Sequence, residues 1–518
     1  MKFIQGHDRF QTSLFPVSLD AAIDQDNEVR LIDLFVDGLS MNDIGFKTDF
    51  IDNGRPAYHP KDLLKLFIYG YLNRIRSSRA LEKESKRNIE LIWLLKGLNP
   101  DHNTINNFRR DNAKAIKRVF RRTVEIARNF DLIGGLILAG DGTRLRAQNS
   151  KKNNYNQQKI DRHIQLIETK LAEYTTMLAQ ADGDEKQDLQ EKIDEKLRHK
   201  RKYKNIEKQI KETGEKQVST SDPDSRHIMV RGSVSEVCYN VQSMVDSKNN
   251  LPVDYQLTNQ NDSRAMASMV KRAKSILKHN RFTVLFDKGY HKGKELDAAH
   301  RLGIKTLVAI PNTPKSAQAP NPDYNAANFN FDPDSDTYTC PEGNIMTPSK
   351  RWYKTNNYRF RQYKTTACFT CSVKERCSKS ANGKIIHRSE FQPAIELNKY
   401  YMDKHPELYK KRQAIVEHPF GTLKRQWGFD YVITKKTMEK ASADVGFMFI
   451  AYNLRRLFNI LGKDKLQAFL EAFDSLFFPI FDKISYKWAV KRFFNTYYEK
   501  ILPINFLQVF PQQNTFRF

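Results

Sequence analysis

Long apolar runs are missing from this sequence. The best two, 132–139 and 445–454, fall far short of the ~18 to 20 residues that a membrane span needs. The N-terminus, MKFIQGHDRFQTS, has neither the apolar core nor the small-residue cleavage site of a secretory signal. The chain is therefore expected to be a soluble cytoplasmic protein with no membrane partner. Cysteine is scarce too, five in 518 residues, which excludes a disulfide-built secreted scaffold. Acidic residues are in the minority: 60 Asp+Glu face 86 Lys+Arg, a formal net charge of +26. Such an excess argues for a polyanion partner, most often nucleic acid, bound by neutralising phosphates and releasing counterions; a basic but ordinary enzyme is the other reading.

What is present is ample for a buried core. Forty per cent of residues are apolar, with 33 Phe and 22 Tyr, so global disorder is excluded. At roughly 150 residues per domain the length suggests about three units. The positive charge sits in no single tail but recurs at 73–79, 114–122, 198–204 and 423–428, which suits a broad nucleic-acid footprint.

Residues 1–125 read as helical. HPKDLLKLFIYGYL carries Leu63, Leu64, Phe67, Ile68 and Tyr71 at helical period, and NIELIWLLKGL repeats the signal before a stop at Gly97 and Pro100. DHNTIN at 101–106 offers caps ahead of a basic helix, FRRDNAKAIKRVFRRTVEIA. From about 130 the period becomes that of strands, and GGLILAGDGTRL reads as a strand ending at Asp141. A highly charged interruption at 150–217 reads as a two-helix hairpin, either a solvated face or an arm that grips DNA or a partner. YNVQSMVDSKN and LPVDYQLTN then form a β-hairpin. The helix SRAMASMVKRAKSIL, the strand RFTVLFDKGY ending at Asp287, a further helix and the strand KTLVAIP follow. Residues 312–395 form an irregular, cysteine-bearing insertion. A helix after it, with a break or start near Pro406, carries Glu417. Residues 461–518 are an aromatic-rich helical tail, suited to packing or to base stacking.

With the two insertions removed, the order is β-β-β-α-β-α-β-α. That is the chain order of a ribonuclease-H-like fold, an α/β core with a mixed sheet, here spanning 130–460. In such a fold Asp141, Asp287 and Glu417 converge on one sheet edge. Three gathered carboxylates repel one another unless divalent cations neutralise them. Mg²⁺ (or Mn²⁺) suits oxygen ligands that leave positions open for phosphate, and two such ions can activate an attacking oxygen and stabilise the leaving one. Cys368 and Cys371 have the bite of a zinc knuckle, and Cys340 with Cys377 would complete a four-thiolate Zn²⁺ site; unligated thiols are the other reading. Cys238 stands alone and reads as a small buried apolar residue.

Six blocks carry a family resemblance: GDGTRLRAQNSKKNNYN, STSDPDSR, YNVQSMVDSKNNLPVDYQLTNQNDSR, VLFDKGYHKGKEL, VEHPFGTLKRQWGF and AYNLRRL. In this order they resemble the DDE transposases of bacterial insertion sequences, over about 50–460. The resemblance implies a catalytic triad of Asp141, Asp287 and Glu417. It also implies a tyrosine–arginine–glutamate–lysine signature on Tyr409, Arg412, Glu417 and Lys424, with the Arg412-to-Glu417 gap one residue longer than the pattern. Lys424, with Arg425 and Trp427, would contact the DNA end. Read alone, Lys424 is a surface lysine, and Trp427 is equally a core residue. The N-terminal block YHPKDLLKLFIYGYLNRIRSSRALE with DHNTINNFRR resembles the family's helical domain for end binding and dimerisation. The implied function is binding of the element's terminal inverted repeats, cleavage at its ends, and transfer of the 3′-hydroxyls to target DNA. A dimer or larger synaptic assembly at the bacterial nucleoid would do this. An inactive DNA-binding descendant, or a metal-dependent nuclease without strand transfer, are the alternatives.

Overall fold

The computed structural model describes residues 18–48, 56–231, 234–434 and 436–477, so most of the aromatic-rich tail lies outside the described residues. Seven helices open it: α1 (Glu28–Asp37), α2 (Met41–Ile44), α3 (Pro60–Leu72), α4 (Ser78–Ser85), α5 (Ile89–Leu94), α6 (His102–Asp111) and α7 (Ala113–Asn129). α3 starts on Pro60, whose missing N–H costs nothing at a first helical position. It buries Leu63, Leu64, Phe67, Ile68 and Tyr71, as their spacing requires. Asp101 caps α6 by accepting from the backbone N–H groups of Asn103 and Thr104, at 2.8 and 3.1 Å. The basic helix expected in one piece is two. Asn112 turns its side-chain amide back on the Phe108 carbonyl at 2.8 Å, which closes α6 before α7 begins.

The central sheet begins with β1 (Ile137–Arg146). The charged interruption is the expected hairpin, α8 (Gln157–Leu178) and α9 (Asp184–Thr213). Its base is closed by β2 (Asn154–Asn156) pairing with β3 (Gln217–Ser219) over a small core of Tyr155, Ile160, Ile206, Ile210 and Val218. Then come β4 (Arg226–Arg231), β5 (Val234–Asp246), β6 (Leu251–Thr258), α10 (Met266–Leu277), β7 (Thr283–Phe286), α11 (Gly293–Arg301) and β8 (Lys305–Val308). The sheet runs β4-β5-β1-β7-β8, with β6 also pairing with β5. β5 is antiparallel to β1, β4 and β6, whereas β1–β7 and β7–β8 are parallel. Cys238 lies fully buried within β5.

The insertion at 312–395 is more ordered than its composition suggests. Strands β9 (Asn330–Asp332), β10 (Thr337–Thr339), β11 (Ile345–Pro348), β12 (Tyr353–Lys354), β13 (Arg359–Lys364) and β14 (Ile386–Ser389) form one antiparallel sheet, with the short helix α12 (Lys374–Cys377) beside it. Phe329, Tyr338, Met346, Tyr363 and Ile386 give it a core of its own. The strands escape notice because each is short and its buried positions are largely aromatic rather than aliphatic.

α13 (Gln392–Lys404), α14 (Pro406–Lys410) and α15 (Arg412–Gly421) follow, with the break at His405 just before Pro406. α15 runs into a π-helical turn, Thr422–Gln426. α16 (Met438–Leu461) then threads the middle of the molecule, and α17 (Lys463–Phe477) ends the described chain. One flank of α16 stacks Phe447 on Phe67 of α3 at 4.7 Å, and another stacks Phe449 on Tyr255 of β6 at 5.1 Å. This helix therefore joins the N-terminal helices to one face of the sheet. On the other face Ile415 and Val416 of α15 pack on Ala139, Val245, Leu285 and Leu307. That packing lays the helix carrying Glu417 along β1.

Candidate active site

Two parallel strands set the first part of the site. β1 and β7 pair at Ile137–Thr283, Leu138–Val284 and Ala139–Leu285. Two residues further along each strand stand Asp141 and Asp287, in phase on the same side because strand side chains alternate. β7 ends at Phe286, so Asp287 follows the strand as expected. Asp141 does not end β1. Antiparallel pairing with β5 carries the strand on to Arg146, and Asp141 marks instead where the β7 partner stops and the edge opens.

Each aspartate is held by backbone. Asp141 accepts from the Gly142 N–H at 2.8 Å and Asp287 from the Gly289 N–H at 2.9 Å. Burial pushes the Asp141 carboxyl up to about 6, Arg412 opposes the rise, and the Asp287 and Asp262 charges add to it. The Arg412 guanidinium lies 3.5 Å from Asp141, and its Nη1 is buried without a hydrogen-bond partner. Tyr409 belongs to the same group. Burial raises its hydroxyl, against the Arg412 charge and with the Asp287 and Asp141 carboxylates.

Because the folded value near 6 lies above the ordinary 3.8, Asp141 costs stability as pH rises. Below 3.8 the carboxyl is protonated in both states; the penalty grows between the two values and is complete above 6. Metal-free Asp141→Asn is therefore expected to melt above the wild type at pH 8, with the difference vanishing at pH 4. A thermal melt at the two pH values checks it.

The third acid is placed differently. Glu417 lies on α15, is exposed, and accepts from Gln413 Nε2 at 2.8 Å. Its helix is pinned to β1 at both ends, by Arg412 beside Asp141 and by Lys424, whose ammonium donates to Thr143 Oγ1 and the Arg144 carbonyl at 3.1 and 3.0 Å. Burial lowers the Lys424 pKa. Arg425 is exposed, while Trp427 is half-buried and meets Phe429 edge-on at 5.6 Å. The structure thus brings together Asp141, Asp287, Arg412 and Tyr409, and sets Glu417 on the adjoining helix. Among the described residues no three His, Cys, Asp or Glu side chains stand close enough to hold a metal ion as they are.

A fourth carboxylate was not anticipated. Asp262, just after β6, takes Gln242 Nε2 at 2.6 Å, Asn240 Nδ2 at 2.8 Å and Arg144 Nη2 at 3.0 Å. Gln242 in turn accepts from the buried Tyr290 hydroxyl, at the turn that follows Asp287. The network fills the face of β1 opposite the Asp141 side chain, where Gly142 leaves room: a Cβ there would meet Asp262 Oδ1 and Gln242 Nε2 at 2.5 Å. Gly142→Ala is expected to destabilise the protein by about 1–3 kcal/mol through overpacking, measured by denaturant titration; an unchanged midpoint would contradict that packing. NQNDSR, among the blocks quoted above, was the available signal for Asp262. Its partners lie 20 and more residues away, so pattern alone could not find them.

Cys340, Cys368, Cys371 and Cys377 line a single small cavity of about 20 Å³ in the insertion, all half-buried. That is room for one water-sized occupant. Burial raises the Cys377 thiol, and the other three thiols add to the rise.

Two family models match this chain. A model described as a transposase domain (DUF772) covers residues 17–111, and a transposase DDE domain covers 339–458. Both models thus describe transposase domains, the second of the DDE type. The second match includes the helix of Glu417 and all four insertion cysteines, but not β1 or β7. No curated protein matches the chain. Among solved structures, a piggyBac transposase synaptic complex with hairpin DNA, determined by cryo-electron microscopy, matches at 10% identity. It covers 93% of this chain and 86% of that one, but a TM-score of 0.28 carries no argument.

Proposed function

We propose that the protein binds the terminal inverted repeats of its own mobile element, cleaves phosphodiester bonds at the element's ends, and joins the freed 3′-hydroxyls to target DNA. The observation carrying this reading is the parallel register that sets Asp141 beside Asp287, where pairing between β1 and β7 stops. The sheet order supports a ribonuclease-H-like core: β1, β5 and β6 pair antiparallel, with β4 added on β5, and β7 and β8 then run parallel to β1.

The donor set fits divalent metal. It offers carboxylate oxygens only, and burial pushes the Asp141 carboxyl toward protonation, a rise that Arg412 only partly offsets. Asp141 and Asp287 would hold Mg²⁺ or Mn²⁺, and Glu417 would join on leaving Gln413. Bound there, the ions supply Lewis acidity for in-line displacement at a phosphodiester. Arg412 then becomes available to pair a phosphate, with its planar fork suited to two oxygens. Tyr409 packs against Arg412 and orients it. Lys424 stiffens the helix against β1 and can turn to DNA only by giving up Thr143. Arg425 is already free to meet phosphate, and Trp427 offers a partly exposed ring.

Structural zinc in the insertion belongs to the same reading. Four thiols around one atom-sized cavity supply the right chemistry, though they must close in to hold the ion. Purified protein is expected to carry about one zinc per chain by elemental analysis, and Cys371→Ser to lose it. Soluble protein that carries no zinc and is fully active with Mg²⁺ would contradict this.

Function is tested with a pre-cut duplex ending in the element's repeat and bearing a free 3′-hydroxyl, offered with a supercoiled plasmid and Mg²⁺. Covalent joining supports a transposase; nicking without joining supports a nuclease. End binding with neither reaction, by folded protein, supports an inactive descendant. Among the described residues no helix is long and apolar enough to cross a membrane. The helices at 60–129 and the excess of 26 positive charges support recognition of the DNA ends, and holding both ends together calls for a dimer or larger assembly.

A further inference from the structure

On the other side of the helix that carries Glu417 lies a cleft of about 400 Å³. Arg74, Arg455, Arg456, His418, Gln426 and Trp427 are among the residues that line it. Its walls come from the C-terminal end of α3, from α16, and from α15 with its π-helical turn. Three guanidinium groups thus converge on one opening, and none of its lining residues among those described is a carboxylate. Arg455 is offset from outside by Glu28 at 2.5 Å. Arg456 donates from Nη2 to the Asn249 carbonyl at 3.0 Å, leaving a buried Nε without a partner. Arg74 is exposed and has no side-chain hydrogen bond or ion pair among the described residues.

Arg74 is one of seven non-glycine residues at positive φ among those described. It lies at φ +64°, the left-handed region, directly after the C-cap of α3. Glycine is the residue that favours this position, and a long side chain there carries a conformational cost.

We propose that this cleft binds a backbone phosphate of the DNA strand entering the active site, clasped between the two transposase domains. Arg74 comes from the N-terminal one, and His418, Arg455 and Arg456 come from the DDE domain. His418 directly follows Glu417, so the cleft lies about one helix diameter, ~10 Å, from that carboxylate. At 3.4 Å per base along one strand, the bound phosphate is a few nucleotides from the scissile bond. The contact reads charge and not sequence. The inference rests on the transposase reading, because it takes the ligand to be the DNA that the acids cut.

The test is fluorescence anisotropy of the full-length protein on a labelled element-end duplex and on an unrelated duplex, across a salt series. The variants are Arg74→Gly, Arg456→Gln and, as a control, Lys271→Ala on an exposed face of α10. Arg74→Gly is expected to melt at or above the wild-type temperature, since glycine relieves the left-handed strain. It should nevertheless bind both duplexes on the order of tenfold more weakly. Its slope of log K against log salt should fall by about 1. Arg456→Gln should move the same way and Lys271→Ala should not. Wild-type affinity and slope in both arginine variants would overturn the cleft assignment while leaving the transposase reading intact. Failure of wild-type protein to bind either duplex would overturn both. Displacement of the duplex by a free mononucleotide in wild type but not in Arg74→Gly would assign the cleft to a small ligand and overturn the proposal.

Discussion

Asp287→Asn is expected to lower strand cleavage at the element's ends by on the order of 10³-fold or more while leaving end binding within about twofold. The size follows from what the carboxylate does. A divalent ion at a phosphoryl centre is worth several kcal/mol of transition-state stabilisation, and each 1.36 kcal/mol is a factor of ten. An amide keeps the shape of the side chain and its acceptor for the Gly289 N–H, so the turn after β7 survives. What it removes is the charge that would hold the ion. Asp141→Asn should behave alike in cleavage and, without metal, gain stability at alkaline pH, as a site built for function rather than folding does. Glu417→Gln should match the other two in cleavage, although its carboxylate is held only by Gln413 in this structure. Cleavage by any of the three within tenfold of wild type would remove that residue from the catalytic set. Gel-resolved cleavage alongside a binding assay separates the two effects.

Asp444→Asn is expected to be the most destabilising of these substitutions, by about 3–5 kcal/mol. Asp444 is fully buried on α16 and paired with Arg76 at 2.9 Å; it also accepts from the Tyr71 hydroxyl and from the Ile433 N–H at 2.8 Å. Burial pushes its carboxyl up, but the Arg76 and Arg109 charges outweigh that and hold it below the ordinary value. Arg109, itself buried, donates to the Tyr71 hydroxyl and to the Arg76 carbonyl at 3.1 and 2.9 Å. Neutralising Asp444 leaves two buried guanidinium groups against no carboxylate, and removing one partner of a buried pair costs far more than the pair is worth. The network also joins α3 and α6 to α16, and α3 and α16 both line the arginine cleft. Loss of Asp444 should therefore loosen end binding as well as lower the denaturation midpoint. A variant that keeps its midpoint would show that aromatic stacking alone holds the seam.

The sequence carried much of this architecture because its strongest signals are local. Helical period placed α3, turn chemistry placed the β5–β6 hairpin, and charge density placed the α8–α9 arm. The three candidate acids each lie in a short block of their own, and pairing of β1 with β7 sets two of them, Asp141 and Asp287, side by side. Pairing was not legible. Asp141 looked terminal because AGDGTR reads as a turn, yet β5 is long enough to hold the segment in the sheet through Arg146. The break at Asn112 depends on one side-chain amide folding back on Phe108. Arg76 and Asp444 are 368 positions apart, and no period or spacing joins them. The arginine cleft is equally non-local: within AYNLRRL, Asn453 bonds in the core to Thr123 and the Pro252 carbonyl. Only the fold shows that Arg455 and Arg456 also face Arg74.

The most direct test of the account is cleavage of a labelled duplex carrying the inverted repeats that flank this gene, with Mg²⁺ or Mn²⁺, wild type beside Asp287→Ala. The account predicts metal-dependent nicking at the repeat boundary by the wild type and none by the variant. Binding of the repeat by folded protein with no nicking under either metal, or equal nicking by Asp287→Ala, would contradict it.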